Sequence, residues 1–86
     1  MKFQGAIVKE QGVTFAIVIV KHHILQSSFS RDETRQNLSP LFPGMPVILM
    51  AQDSRGTPTY YGRNDIVKFL SNISIDRIPW KEFSYN

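Results

Sequence analysis

At 86 residues, with 42% hydrophobic and 20% charged side chains, the chain has the composition of one small globular domain and not of a disordered tract. A formal charge of +3 permits an acidic partner, but the ten Lys and Arg are scattered and form no polybasic arm. The absence of cysteine excludes disulfides, thiolate zinc sites and thiol catalysis, and the longest apolar run, Phe15 to Val20, falls far short of the roughly 20 residues that span a bilayer.

Lys2 to Lys9 carries Phe3, Ala6, Ile7 and Val8 among Gln4 and the lysines and reads as an edge strand. Glu10-Gln11-Gly12 connects it to Thr14–Val20, a β-branched stretch almost without polar relief, which reads as an interior strand paired antiparallel with the first. Between Lys21 and Pro46, Ser30-Arg31-Asp32-Glu33 has capping-box spacing, so a short helix is predicted there with Ser30 and Glu33 closing its first turn. Arg31 to Asn37 is wholly polar. That leaves Phe29, Leu38, Leu41 and Phe42 to grip the core by the helix ends, before Pro40, Pro43, Gly44 and Pro46 stop the helix and extend the chain. Val47 to Ala51 is apolar at every position, which a strand tolerates only with both faces covered. Asp53-Ser54-Arg55-Gly56 supplies a turn, and Thr57 to Gly62 returns as a polar and aromatic edge strand. Asn64 and Asp65 open a helix with Ile66, Phe69, Leu70 and Ile73 on one stripe. The last segment, residues 74–86, is not helical in pattern yet carries Ile75, Ile78, Trp80, Phe83 and Tyr85. It either packs back on the domain or docks on a partner through Trp80.

The element order is therefore β-β-α-β-β-α, an α+β fold in one domain over residues 1–86, with a mixed four-stranded sheet covered by two helices. The strand–helix–strand crossover makes a right-handed parallel unit. Ile17, Ile19, Ile48, Leu49, Ile66, Phe69 and Leu70 are expected to share one core. Met45-Pro46 leading into an apolar strand, a Gly-containing turn, a second strand ending at Gly62 and a final helix resembles the C-terminal ββα half of thioredoxin-like domains. That resemblance implies a cis-proline at Pro46. Because the chain has no Cys-x-x-Cys and begins with a hairpin, it also implies a scaffold without redox chemistry.

Two clusters can carry chemistry. If the strands ending at Val20 and Ala51 are parallel neighbours, Lys21, His22 and His23 emerge at the same sheet edge as Gln52 and Asp53, where α/β sheets hold ligands. His22 or His23 with Asp53 has the ingredients of an oriented general base, with Ser27 or Ser28 as its nucleophile, but no Gly-x-Ser-x-Gly turn accompanies them. Adjacent histidines on a strand point to opposite faces, so neither a metal site nor a cofactor is expected. The second cluster, Tyr60, Tyr61 and Arg63 with Arg55 in the preceding turn, has the parts for stacking a base and neutralising a phosphate, although one tyrosine must face inward. Binding is expected to concentrate on Tyr60, Tyr61, Arg63, Arg55 and Trp80. The leading reading is a small, non-catalytic, cytoplasmic interaction domain that takes a protein partner or self-associates, without membrane contact. A single-stranded nucleic-acid module comes second and a small hydrolase third.

Overall fold

Gln11 and Gly12 both take positive φ, 51° and 80°, and so form the two-residue turn that folds β1 (Lys2–Glu10) antiparallel onto β2 (Val13–Ile19). The fold is described from a computed structural model, which covers residues 2–84; Tyr85 lies outside the described residues. After β2 come α1 (His22–Gln26), α2 (Ser28–Leu38) and a 3-10 turn at Ser39–Leu41. Then follow β3 (Val47–Gln52), β4 (Pro58–Tyr61), α3 (Asn64–Leu70), a second 3-10 turn at Ile75–Arg77 and β5 (Lys81–Ser84). The result is a small α+β domain with three helices and a mixed sheet in the order β4-β3-β2-β1-β5. The β2–β3 pair is parallel and the other three pairs are antiparallel. No helix among the described residues is long and apolar enough to cross a membrane.

The sheet has five strands, not the expected four, and β1 is not an edge. Lys81-Glu82-Phe83-Ser84 has a single apolar residue and no strand pattern of its own. Its extended state comes from backbone pairing with Lys2–Gly5, in a register that sets Phe83 opposite Phe3. The third helix, α1, spans five residues, too few to show a periodicity, and it takes His22 and His23 off the strand end where the sequence had placed them. The cap lies three residues before the predicted capping box, and is a single bond and not a reciprocal pair. Ser27 is extended at φ −116° and ψ 126°, and its Oγ accepts from Ser30 N at 3.3 Å, so Ser30 lies inside the first turn of α2. All peptide bonds among the described residues are trans, including the one before Pro46.

Strand alternation divides the apolar residues between two faces. On one, Ala6, Phe15, Ile17, Ile48, Met50 and Tyr60 pack under Ile66 and Leu70 of α3 and under Ile78 of the C-terminal segment. On the other, Ala16, Val18, Val47 and Leu49 pack under Leu38 and Phe42. Leu49 therefore leaves the single core expected for it, because it neighbours Ile48 on a strand and must point the opposite way. Both faces of β3 are covered as predicted, and Val47 to Ala51 is buried throughout. The C-terminal segment also serves both faces. Ile75, Ile78 and Trp80 join the α3 side, and Phe83 joins the side of α1 and α2.

Candidate interaction site

The face bearing α1 and α2 is only half closed. Among the described residues both helices contact β3, and the β1–β5 side of the same face meets the Ser39–Met45 connection through Phe42. There Phe3 and Phe83 stack at 5.3 Å with their planes 11° apart, and each meets the ring of Phe42 edge-on, at 6.0 and 5.7 Å. The stack is permitted by Gly5. An added Cβ there would lie 2.6 Å from Ile17 O and 3.3 Å from the Phe83 ring, so a side chain at this position would displace the strand or the ring. Around the aromatic trio runs a groove of about 280 Å³, lined by Phe3, Ile7, Leu41, Phe42, Met45 and Phe83, with Ser84 at its rim. Ile7 is 39% exposed in it; among the described residues the other exposed large apolar side chain, Phe29, lies at the start of α2.

Beside the groove, and sharing Met45 with it, is a polar cleft of about 360 Å³ lined also by Asp32, Arg35, Gln36, Ser39, Pro46 and Val47. Arg35 Nε donates to Val47 O at 3.0 Å, tying α2 to the start of β3. Tyr61 rises from β4 against the same helix. The guanidinium carbons of Arg31 and Arg35 lie 4.3 and 5.5 Å from its ring centre, and its hydroxyl donates to Asp32 Oδ1 at 2.6 Å. The polar middle of α2 thus holds the sheet through a tyrosine clamp, and the helix is not gripped by its ends alone. Phe29, at 72% exposed, adds nothing to that grip.

The residues singled out from sequence are dispersed. Tyr60 is buried, its hydroxyl has no hydrogen-bond partner among protein groups, and burial pushes its pKa upward. Tyr61 is enclosed by Arg31, Arg35 and Asp32. Arg63 forms a two-point ion pair with Asp65, Nε to Oδ1 at 2.8 Å and Nη2 to Oδ2 at 2.9 Å, and this hydrogen bonding holds the Asp65 carboxyl below its ordinary pKa. Arg55 is exposed in the β3–β4 turn. Trp80 is half-buried and donates Nε1–H to Ile75 O at 3.0 Å, which ties the C-terminal segment to the α3 face. His22 and His23 are exposed on α1, while Asp53 Oδ1 accepts from Arg55 N at 2.8 Å and Thr57 N at 3.0 Å, the work of a turn-forming aspartate. Among the described residues, no three His, Asp or Glu side chains gather as a metal-binding set.

Sequence reasoning missed the groove because its walls come from opposite ends of the chain. One signal was present in β1, which carries Phe3 and Ile7 on one face and Ala6 and Val8 on the other and so asks for cover on both. Comparison with known protein families, with curated proteins and with solved structures gives no match.

Proposed function

We propose that this chain is a non-catalytic interaction domain whose docking surface is the groove between the β1–β5 side of the sheet and the Ser39–Met45 connection. The observation that supports this reading is the 39% exposed Ile7 beside the half-buried, stacked rings of Phe3 and Phe83, which the buried Phe42 backs. At about 280 Å³ the groove lies at or below the small end of small-molecule pockets, and it suits one or two apolar side chains of a polypeptide better than an enclosed ligand. The occupant we assign is an extended segment of a partner protein, which presents alternate side chains to one side as an added strand does. A second copy of this chain is the competing occupant. It would appear as a dimer in solution.

A single-stranded nucleic-acid role draws less support. Its stacking residues are occupied, Tyr60 in the core and Tyr61 under Arg31, and Arg63 is neutralised by Asp65. A hydrolase draws less again, since Asp53 is engaged by the turn backbone and both histidines face solvent.

The test is selection of random displayed peptides on the immobilised domain, with solution mass measured in parallel. Enrichment by the parent that is lost in Ile7→Glu supports the groove. A stable dimer that dissociates in Ile7→Glu assigns the groove to a second copy. A monomer with no enrichment overturns the reading.

A further inference from the structure

The pairing of β1 with β5 is the least supported part of the sheet. Among the described residues β1 meets β2 only from Gly5 to Glu10, so Lys2, Phe3 and Gln4 have their ladder partners in β5 alone. The two strands therefore run past the rest of the sheet as a two-stranded ribbon, an arrangement that is marginal by itself in water. β5 adds little to hold it. Lys81, Glu82 and Ser84 are exposed and Phe83 is half-buried, whereas β2 and β3 are buried along most of their length. Lys and Glu disfavour strands, and the Lys2–Glu82 ion pair joins side chains that are 70% and 55% exposed, where such a pair contributes little.

We propose that β5 is a displaceable strand, seated on the edge of β1 in the manner of a bound ligand, and that an extended segment of a partner protein with an aromatic side chain at the Phe83 position takes its place.

The chain before β5 is anchored on the other face of the sheet. Ile78 is buried there, and Trp80 Nε1–H donates to Ile75 O at 3.0 Å. β5 can leave without unseating that anchor, as a local opening and not a global one. The seat it vacates is shaped for one ring. Phe3 stacks on Phe83 at 5.3 Å, Phe42 meets it edge-on at 5.7 Å, and Gly5 supplies the clearance, since an added Cβ would lie 3.3 Å from the Phe83 ring. The neighbours of Phe83 in β5 are exposed, so backbone pairing and one aromatic ring define what fits, and the flanking positions are free to vary. A partner strand must expel β5 to bind. Its apparent affinity is therefore lowered by the fraction of molecules in which β5 is detached, which makes β5 an internal competitor.

The probe is a dye-labelled peptide of residues 78–84, acetylated and amidated, titrated against the full chain by fluorescence anisotropy. Phe83→Ala weakens the internal strand and leaves the seat intact, so this variant should bind the peptide at least about tenfold more tightly than the parent. The peptide carrying the same Phe83→Ala change should bind neither protein. Gln4→Cys with Glu82→Cys joins two exposed cross-strand partners and allows a disulfide across the ladder. The oxidised double variant should fail to bind, and reduction should restore binding. In hydrogen exchange, the amides of residues 2–4 and 81–84 should open together and faster than those of β2 and β3, and the disulfide should slow them. Exchange of the ribbon as slow as that of β2 and β3 overturns the proposal. So does a ribbon that opens while the folded Phe83→Ala variant captures no peptide, or equal binding by the oxidised and reduced double variant. Capture at the β1 edge and peptide enrichment by the groove are separate readouts, so either can fail alone.

Discussion

The two faces of the sheet are built from the same strands, and they are closed by different means. Under α3 the cover is apolar. Ile66 and Leu70 meet Ile17, Ile48 and Met50, and Ile78 with the half-buried Trp80 completes the layer. Under α2 the cover is largely polar, with Arg31, Asp32 and Arg35 held on Tyr61 and Val47, and apolar closure comes from Leu38 and Phe42 with the partly buried Ile24, Leu25, Leu41 and Met45. A helix with an apolar stripe seals a face by burial, whereas a polar helix can be positioned by a few directed contacts and leaves neighbouring apolar surface uncovered. The open groove lies beside the polar helix. The groove here follows from how a face is held and not from how apolar its strands are.

That contrast orders the expected effects of substitution. Leu70→Ala, on the sealed face at 1% exposed, should cost about 2–5 kcal/mol in urea unfolding; a loss under about 1 kcal/mol would mean that α3 is not the seal. Tyr61→Leu removes the ring beneath two guanidiniums and the bond to Asp32, and should cost about 1–2 kcal/mol by the same measurement, with hydrogen exchange accelerating in α2 before α3. Ser27→Ala should cost about 0.5–1 kcal/mol and Ser30→Ala less, reversing the order that the capping-box spacing implies. Tyr60→Phe should range from neutral to a gain of about 1 kcal/mol, since the hydroxyl it deletes is buried without a partner. The smallest effect is on the pH profile. The folded Asp65 carboxyl titrates below its unfolded value, so its contribution is complete above an unfolded pKa of about 3.9 and fades as pH falls through the folded one. Arg63→Ala should flatten that acid limb by removing a small contribution at neutral pH, and leave stability unchanged at a pH below the folded pKa.

What the sequence disclosed follows the same division. The all-apolar run Val47–Ala51 required cover on both faces and has it, and the Ile66–Leu70 stripe identified the sealing helix. Elements defined by partners and not by pattern stayed hidden. β5 is a strand because Lys2–Gly5 pairs with it, and the cap of α2 had three serines in four positions from which to choose. The tyrosines were read as one inward and one outward; Tyr60 does face inward, but Tyr61 packs on the other covered face, under Arg31 and Arg35 of α2. The groove itself needed Phe3 and Phe83 side by side, a long-range fact that no local window contains.

The central claim is that the open half of one face serves docking and contributes little to holding the fold. It is tested most directly by measuring, on the Ile7→Glu variant, both the affinity for a peptide selected by the parent and the free energy of unfolding. Ile7 is 39% exposed, so the account predicts binding lost with stability changed by less than about 1 kcal/mol. Binding that survives the substitution, or stability that collapses with it, would contradict the account.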